Sequence, residues 1–99
     1  MTDWRSFGRY NENEVQYLID NYQWLQYLKH RPSIHVRLMD LEVAIDYLPR
    51  KLYEAVIVIG LLRFTDRAAG EALHISHSAA QKRYRQGVAL MLDRMNGEH

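Results

Sequence analysis

Two prolines, Pro32 and Pro49, cut a chain whose apolar residues otherwise recur at three-to-four spacing almost from end to end. That spacing puts one side of a helix on a core, and proline sets where a helix must stop or restart. The first helix is predicted to begin near Asn11 or Asn13 and to carry Val15, Leu18, Ile19, Tyr22, Leu25 and Leu28 on its apolar side. Asn11 with Glu14 three residues on reads as a capping pair. This helix ends before Arg31-Pro32. Ser33 is predicted to cap a second helix bearing Ile34, Leu38, Leu41, Ile45 and Leu48, and Pro49 opens a third that runs to about Leu62. Val56-Ile57-Val58-Ile59 would suit a strand in isolation. Leu52, Ala55, Val56, Ile59 and Leu62 carry helical spacing through it, so it is read as a central buried helix. Thr65 is predicted to cap a short fourth helix ending near Leu73, with Asp66 at the positive end of its dipole. Ser76 caps a fifth helix to about Met95, and Asn96-Gly97 ends it. The expected fold is all-α: one domain over residues 1–99, about five helices, no sheet.

Composition narrows the function. The chain has no cysteine, which excludes a disulfide framework, a thiolate zinc site and a cysteine nucleophile. The apolar run from Ala55 to Leu62 is too short to span a bilayer. Met1-Thr2-Asp3-Trp4-Arg5 lacks the basic start and apolar core of a signal peptide, so an intracellular protein with no membrane partner is expected. The net charge of +1 hides an asymmetry. Arg63, Arg67, Lys82, Arg83, Arg85 and Arg94 face only Asp66, Glu71 and Asp93 within residues 63–94, and no acid lies between Glu71 and Asp93. A solvated helix face explains such a stretch as well as a polyanion partner does, until the spacing is considered.

The spacing is that of a helix-turn-helix: two helices joined by about three residues, the second basic on its exposed side. Ala69, Gly70 and Leu73 form the stripe of the first helix. Ile75 is expected to plug the core from the turn, with Leu73 beside it. Ala80, Tyr84, Gly87, Val88, Met91 and Met95 form the buried stripe of the second helix. Gly70 and Ala80 are small, as a steep early crossing requires. His77, Ser78, Gln81, Lys82 and Arg85 fall on one other side. Gln81 and Lys82 project from the first turns and suit base edges; Arg85, Arg83 on the flank and Arg67 on the preceding helix suit phosphates. Ser76 and the helix N-terminus add N–H groups for a phosphate. Double-stranded DNA is the predicted partner.

Residues 48–96 carry a resemblance. Leu48-Pro49-Arg50-Lys51-Leu52-Tyr53-Glu54-Ala55-Val56 resembles the start of region four of bacterial sigma factors. Ala68-Ala69-Gly70-Glu71-Ala72-Leu73-His74-Ile75-Ser76 and Ala80-Gln81-Lys82-Arg83-Tyr84-Arg85-Gln86-Gly87 resemble the two helices of its helix-turn-helix. In this chain Ala68 stands for the family's Glu, Gly70 for its packed Ala, and His74 for its turn Gly, which assigns His74 a left-handed backbone. Residues 1–47 are similar in pattern to small phage regulators of the ArpU and RinA type. The resemblance implies a transcriptional regulator encoded by a phage or mobile element, acting in the cytoplasm of a bacterial host and with RNA polymerase as a further partner. A chain of 99 residues has no room for the other regions of a sigma factor.

The catalytic alternatives are poorer. His74 and His77 lack further ligands for zinc. Asp40, Glu42 and Asp46 share a helix without a sign of a pocket. The glycines form no phosphate loop. No catalytic residue, metal or cofactor is expected. Trp4, Phe7, Tyr10, Tyr17, Tyr22, Trp24 and Tyr27 crowd the first 30 residues. Packing of the first helix on the second and third accounts for some. Tyr17, Trp24 and Tyr27 are candidates for a protein interface, toward a second copy or another chain. Two other binding classes stand beside the regulator: a small terminase-like DNA-packaging subunit, and a protein-binding module that captures RNA polymerase or another host protein.

Overall fold

The computed structural model describes residues 10–97, and every regular element among them is helical. In chain order these are α1 (Glu12–Asp20), α2 (Tyr22–Leu25) with a 3-10 turn over Gln26–Leu28, α3 (Pro32–Asp46), α4 (Arg50–Ala55) continued as a π-helix over Val56–Leu61, α5 (Asp66–Leu73) and α6 (His77–Met95). There are thus six α-helices among the described residues, one more than expected. Trp4 and Phe7 lie outside the described residues.

The extra helix comes from Asn21. Its side-chain amide donates to the Tyr17 carbonyl at 2.9 Å, and its backbone N–H bonds the same oxygen at 3.0 Å. A short amide that satisfies an end carbonyl competes with helix continuation, so α1 stops and α2 restarts at Tyr22. The start of α1 matches its sequence: Asn11 accepts from the Glu14 N–H at 2.8 Å, and Glu14 accepts from the Asn11 N–H at 3.1 Å.

The predicted cap of α3 is corrected. Pro32 occupies the first turn, so the cap position falls on Arg31, extended at φ −84 and ψ 123. Ser33 therefore lies inside the helix and is exposed. Proline at the start of a helix and an extended residue before it are one steric preference.

The run from Val56 is helical, as expected, but wider than α. Leu62 N–H reaches back to the Ile57 carbonyl at 2.8 Å, five residues away. Consecutive β-branched residues crowd the neighbours one turn away in an α-helix. Burial here is also less than predicted: Ala55, Val56 and Gly60 are buried, whereas Ile57, Val58 and Ile59 are only partly so.

The longest helix, α6, packs against α1, α3, α4 and α5. Val15, Ile19, Leu38, Leu41, Val56 and Met91 are the largest fully buried side chains. Residues from both halves of the chain share this core. Asn96, at the end of α6, clasps Tyr10: its Oδ1 accepts from the Tyr10 N–H at 2.6 Å and its Nδ2 donates to the Tyr10 carbonyl at 3.0 Å.

Candidate nucleic-acid interface

The geometry of α5 and α6 follows from local chemistry. Thr65 Oγ1 accepts from the Ala68 N–H at 3.1 Å, and Ser76 Oγ accepts from the Ala79 N–H at 3.0 Å. Each cap fixes the first turn of its helix. Between them α5 ends on His74, at φ 60 and ψ 42. This left-handed residue lets the Ile75 N–H return to the Gly70 carbonyl at 2.9 Å. The chain then enters α6 after three residues, His74, Ile75 and Ser76.

So short a turn forces close approach. A Cβ on Gly70 would lie 2.7 Å from the Ile75 carbonyl oxygen and 3.0 Å from the His77 nitrogen, both backbone atoms. Ala69 and Ala80 are fully buried at the same junction. Gly87 plays the same part further along α6, where a Cβ would meet Val56 Cγ2 at 2.6 Å.

Leu73 and Ile75 are both half-buried, not core. With alanine and glycine doing the packing, the helices touch backbone to backbone and leave little room beneath the turn for a large plug. The stripe of α6 is otherwise as read: Ala80, Gly87, Val88 and Met91 are buried, with Tyr84 and Met95 half-buried.

Ser76, His77, Ser78, Gln81, Lys82, Arg85 and Arg67 are all exposed. Ser78, Gln81, Lys82 and Arg85 form a continuous side of α6. Arg83 is half-buried and lies roughly 160–200° around the helix from Gln81 and Arg85, so it does not join them. Among the described residues no acid pairs with Arg67, Lys82, Arg83 or Arg85; the ion pairs run from Arg50 to Glu54 at 3.6 Å and from Arg63 to Asp20 at 2.8 Å. Arg85 stands at the rim of a groove between α1 and α6 whose other walls include Glu12, Asn13 and Gln16.

A buried brace fixes α6 from behind. The Gln16 amide nitrogen donates to the Tyr84 hydroxyl and to Asp20 Oδ1, both at 2.8 Å. Asp20 in turn accepts from Arg63, which stands at φ 65 just before the Thr65 cap. Burial pushes the pKa of the Tyr84 hydroxyl upward. Periodicity alone assigned Tyr84 to the apolar stripe. Its partner is 68 residues away and no local pattern signals it.

Tyr17, Trp24 and Tyr27 are 57%, 61% and 77% exposed. The rings of Trp24 and Tyr27 lie 6.3 Å apart, tilted by 49°. Tyr22 does the packing instead: its hydroxyl donates to Glu42 at 2.6 Å, and burial followed by that carboxylate pushes its pKa up to about 12. Tyr10 is buried, with its hydroxyl donating to Asp40 at 2.8 Å. Among the described residues no three His, Asp or Glu side chains gather in a metal-binding group, and no helix is long and apolar enough to cross a membrane. No protein-family model matches this chain, and neither a curated protein nor a solved structure matches it significantly.

Proposed function

We propose that this chain is a sequence-specific transcriptional regulator that binds double-stranded DNA through a helix-turn-helix made by α5 and α6, and that it works by binding, not catalysis. One observation carries the reading: the exposed side of α6 presents Ser78, Gln81, Lys82 and Arg85 with no acidic partner, directly after a capped three-residue turn. A helix of this kind lies in the major groove with its N-terminal residues on base edges. Gln81 suits adenine, Lys82 suits guanine, and Arg85 and Arg67 suit the phosphates on either side. The Ser76-capped N-terminus favours a phosphate as well. Arg83 takes a lesser part, since it faces away. RNA polymerase is the further partner that the likeness to sigma region four adds.

The test is selection of bound duplexes from a random pool, followed by anisotropy titrations over a range of salt. On the selected site Gln81→Ala costs about 1–3 kcal/mol and relaxes discrimination at one base pair. Arg85→Ala weakens all duplexes alike and lowers the salt slope by about one unit. A wild-type protein without salt-dependent duplex binding hands the reading to protein capture, which the exposed Tyr17, Trp24 and Tyr27 support.

A further inference from the structure

Helix α3 is apolar on two opposite sides. Leu38, Leu41, Ala44 and Ile45 are buried in the core. Met39, Val43 and Tyr47, each four residues after the last, run along the other side at 48%, 47% and 63% exposure. Half-buried Val36 extends the row toward the N-terminus. Arg94 of α6 lies 3.6 Å over the Tyr47 ring, and Leu90, one turn before it, is 44% exposed, so the apolar surface continues onto α6. A helix apolar all round is normally covered all round.

The charges beside this row favour one kind of cover. Asp46 is exposed at its C-terminal end; His30, Arg31 and His35 are exposed at its N-terminal end. On the α-helical wheel Asp46, His35 and Arg31 fall along the same edge of the row. Among the described residues neither Asp46 nor Arg31 has an ion-pair partner. A two-fold axis crossing the row reverses the helix direction and keeps that edge on the same side. It therefore sets the acidic end of one copy beside the basic end of the other and opposes the two helix dipoles favourably.

We propose that this chain self-associates through antiparallel pairing of α3 with α3 of a second copy, Met39 of each facing Val43 of the other. The axis passes near the middle of the row, between those two residues. This surface is separate from the exposed side of α6, so the proposal stands or falls apart from DNA binding.

Sedimentation equilibrium of the full chain tests it. The mass rises with concentration from 11.8 kDa toward twice that value. Val43→Glu and Met39→Lys each weaken the dimer about tenfold or more while helical content and melting temperature stay as in the wild type. Asp46→Lys also weakens it, and Arg31→Glu added to Asp46→Lys restores it. The chain has no native cysteine, so Met39→Cys protein mixed with Val43→Cys protein forms a mixed disulfide faster than either forms its own. A wild type that stays monomeric at millimolar concentration overturns the proposal. So does a dimer that resists both Val43→Glu and Met39→Lys, or one lost on Trp24→Ser with Tyr27→Ser. Preferred Met39–Met39 cross-linking through the Cys variant overturns the antiparallel arrangement.

Discussion

The turn between α5 and α6 and the layer formed by α1 with α3 solve the same packing problem by opposite means. At the turn, Ala69, Gly70 and Ala80 bring two backbones together and leave the long side chains outside. In the layer, Val15, Ile19, Leu38 and Leu41 fill the gap, while Tyr10 and Tyr22 reach across to Asp40 and Glu42. The first arrangement costs little side-chain volume and leaves a polar, cationic surface. The second spends large apolar residues and still has some left over on the outside, at Trp24, Tyr27, Met39 and Tyr47. Small-residue contacts suit a place where a helix must be presented; large-residue contacts supply the stability that holds it there.

That contrast breaks most sharply under truncation. Leu38→Ala, at a site with no exposure, should lose about 2–5 kcal/mol in denaturant unfolding. Leu73→Ala at the half-buried edge of α5 should lose about 1 kcal/mol or less. Equal losses would show that the turn holds as much of the core as the layer does. Enlargement reverses the order of sensitivity. Gly70→Ala thrusts a methyl into backbone atoms that cannot swing aside, and should cost about 1–3 kcal/mol although alanine is the better helix former.

A third comparison concerns two serines. Ser76→Ala removes a cap and should cost about 1 kcal/mol; Ser33→Ala, inside the first turn of α3, should stay within about 0.5 kcal/mol. This pair shows what was legible in the sequence. The caps Asn11, Thr65 and Ser76, the left-handed His74 and the ending at Asn96 depend on atoms within a few residues, and local patterns carry them. At Ser33 two local signals competed, and the proline next to it won. The break at Asn21, the wide turn after Val56 and the brace from Tyr84 to Gln16 depend on distant packing, which spacing does not record. The same holds for the site: exposure of Gln81, Lys82 and Arg85 follows from periodicity, whereas the partial burial of Arg83 and the outward row on α3 require the assembled helices.

The smallest effect is electrostatic and confined to alkali. Below pH 10 the tyrosine hydroxyls of interest are protonated in both folded and unfolded chains, so they add no slope. Above the ordinary value of 10.0 the unfolded chain releases a proton that Tyr22 retains until about 12. The unfolded state then binds fewer protons, and stability falls across that window. Tyr22→Phe should flatten the fall seen between pH 10 and 12 without altering the slope near neutrality. An unchanged alkaline limb would show that Tyr22 ionises as freely as an exposed phenol, against its bond to Glu42.

The π-helix over Val56–Leu61 has a consequence for descent by insertion and deletion. Such a widened stretch amounts to one residue more than an α-helix needs over the same length. Removing one of its residues would let the backbone relax to ordinary winding, but everything after it would turn by about 100° relative to what comes before. Arg63 would swing away from Asp20, and Thr65 would start α5 in another direction. The extra residue thus works as a phase setting between the two halves of the molecule. Single-residue deletions there should be far less tolerated than substitutions that keep the count.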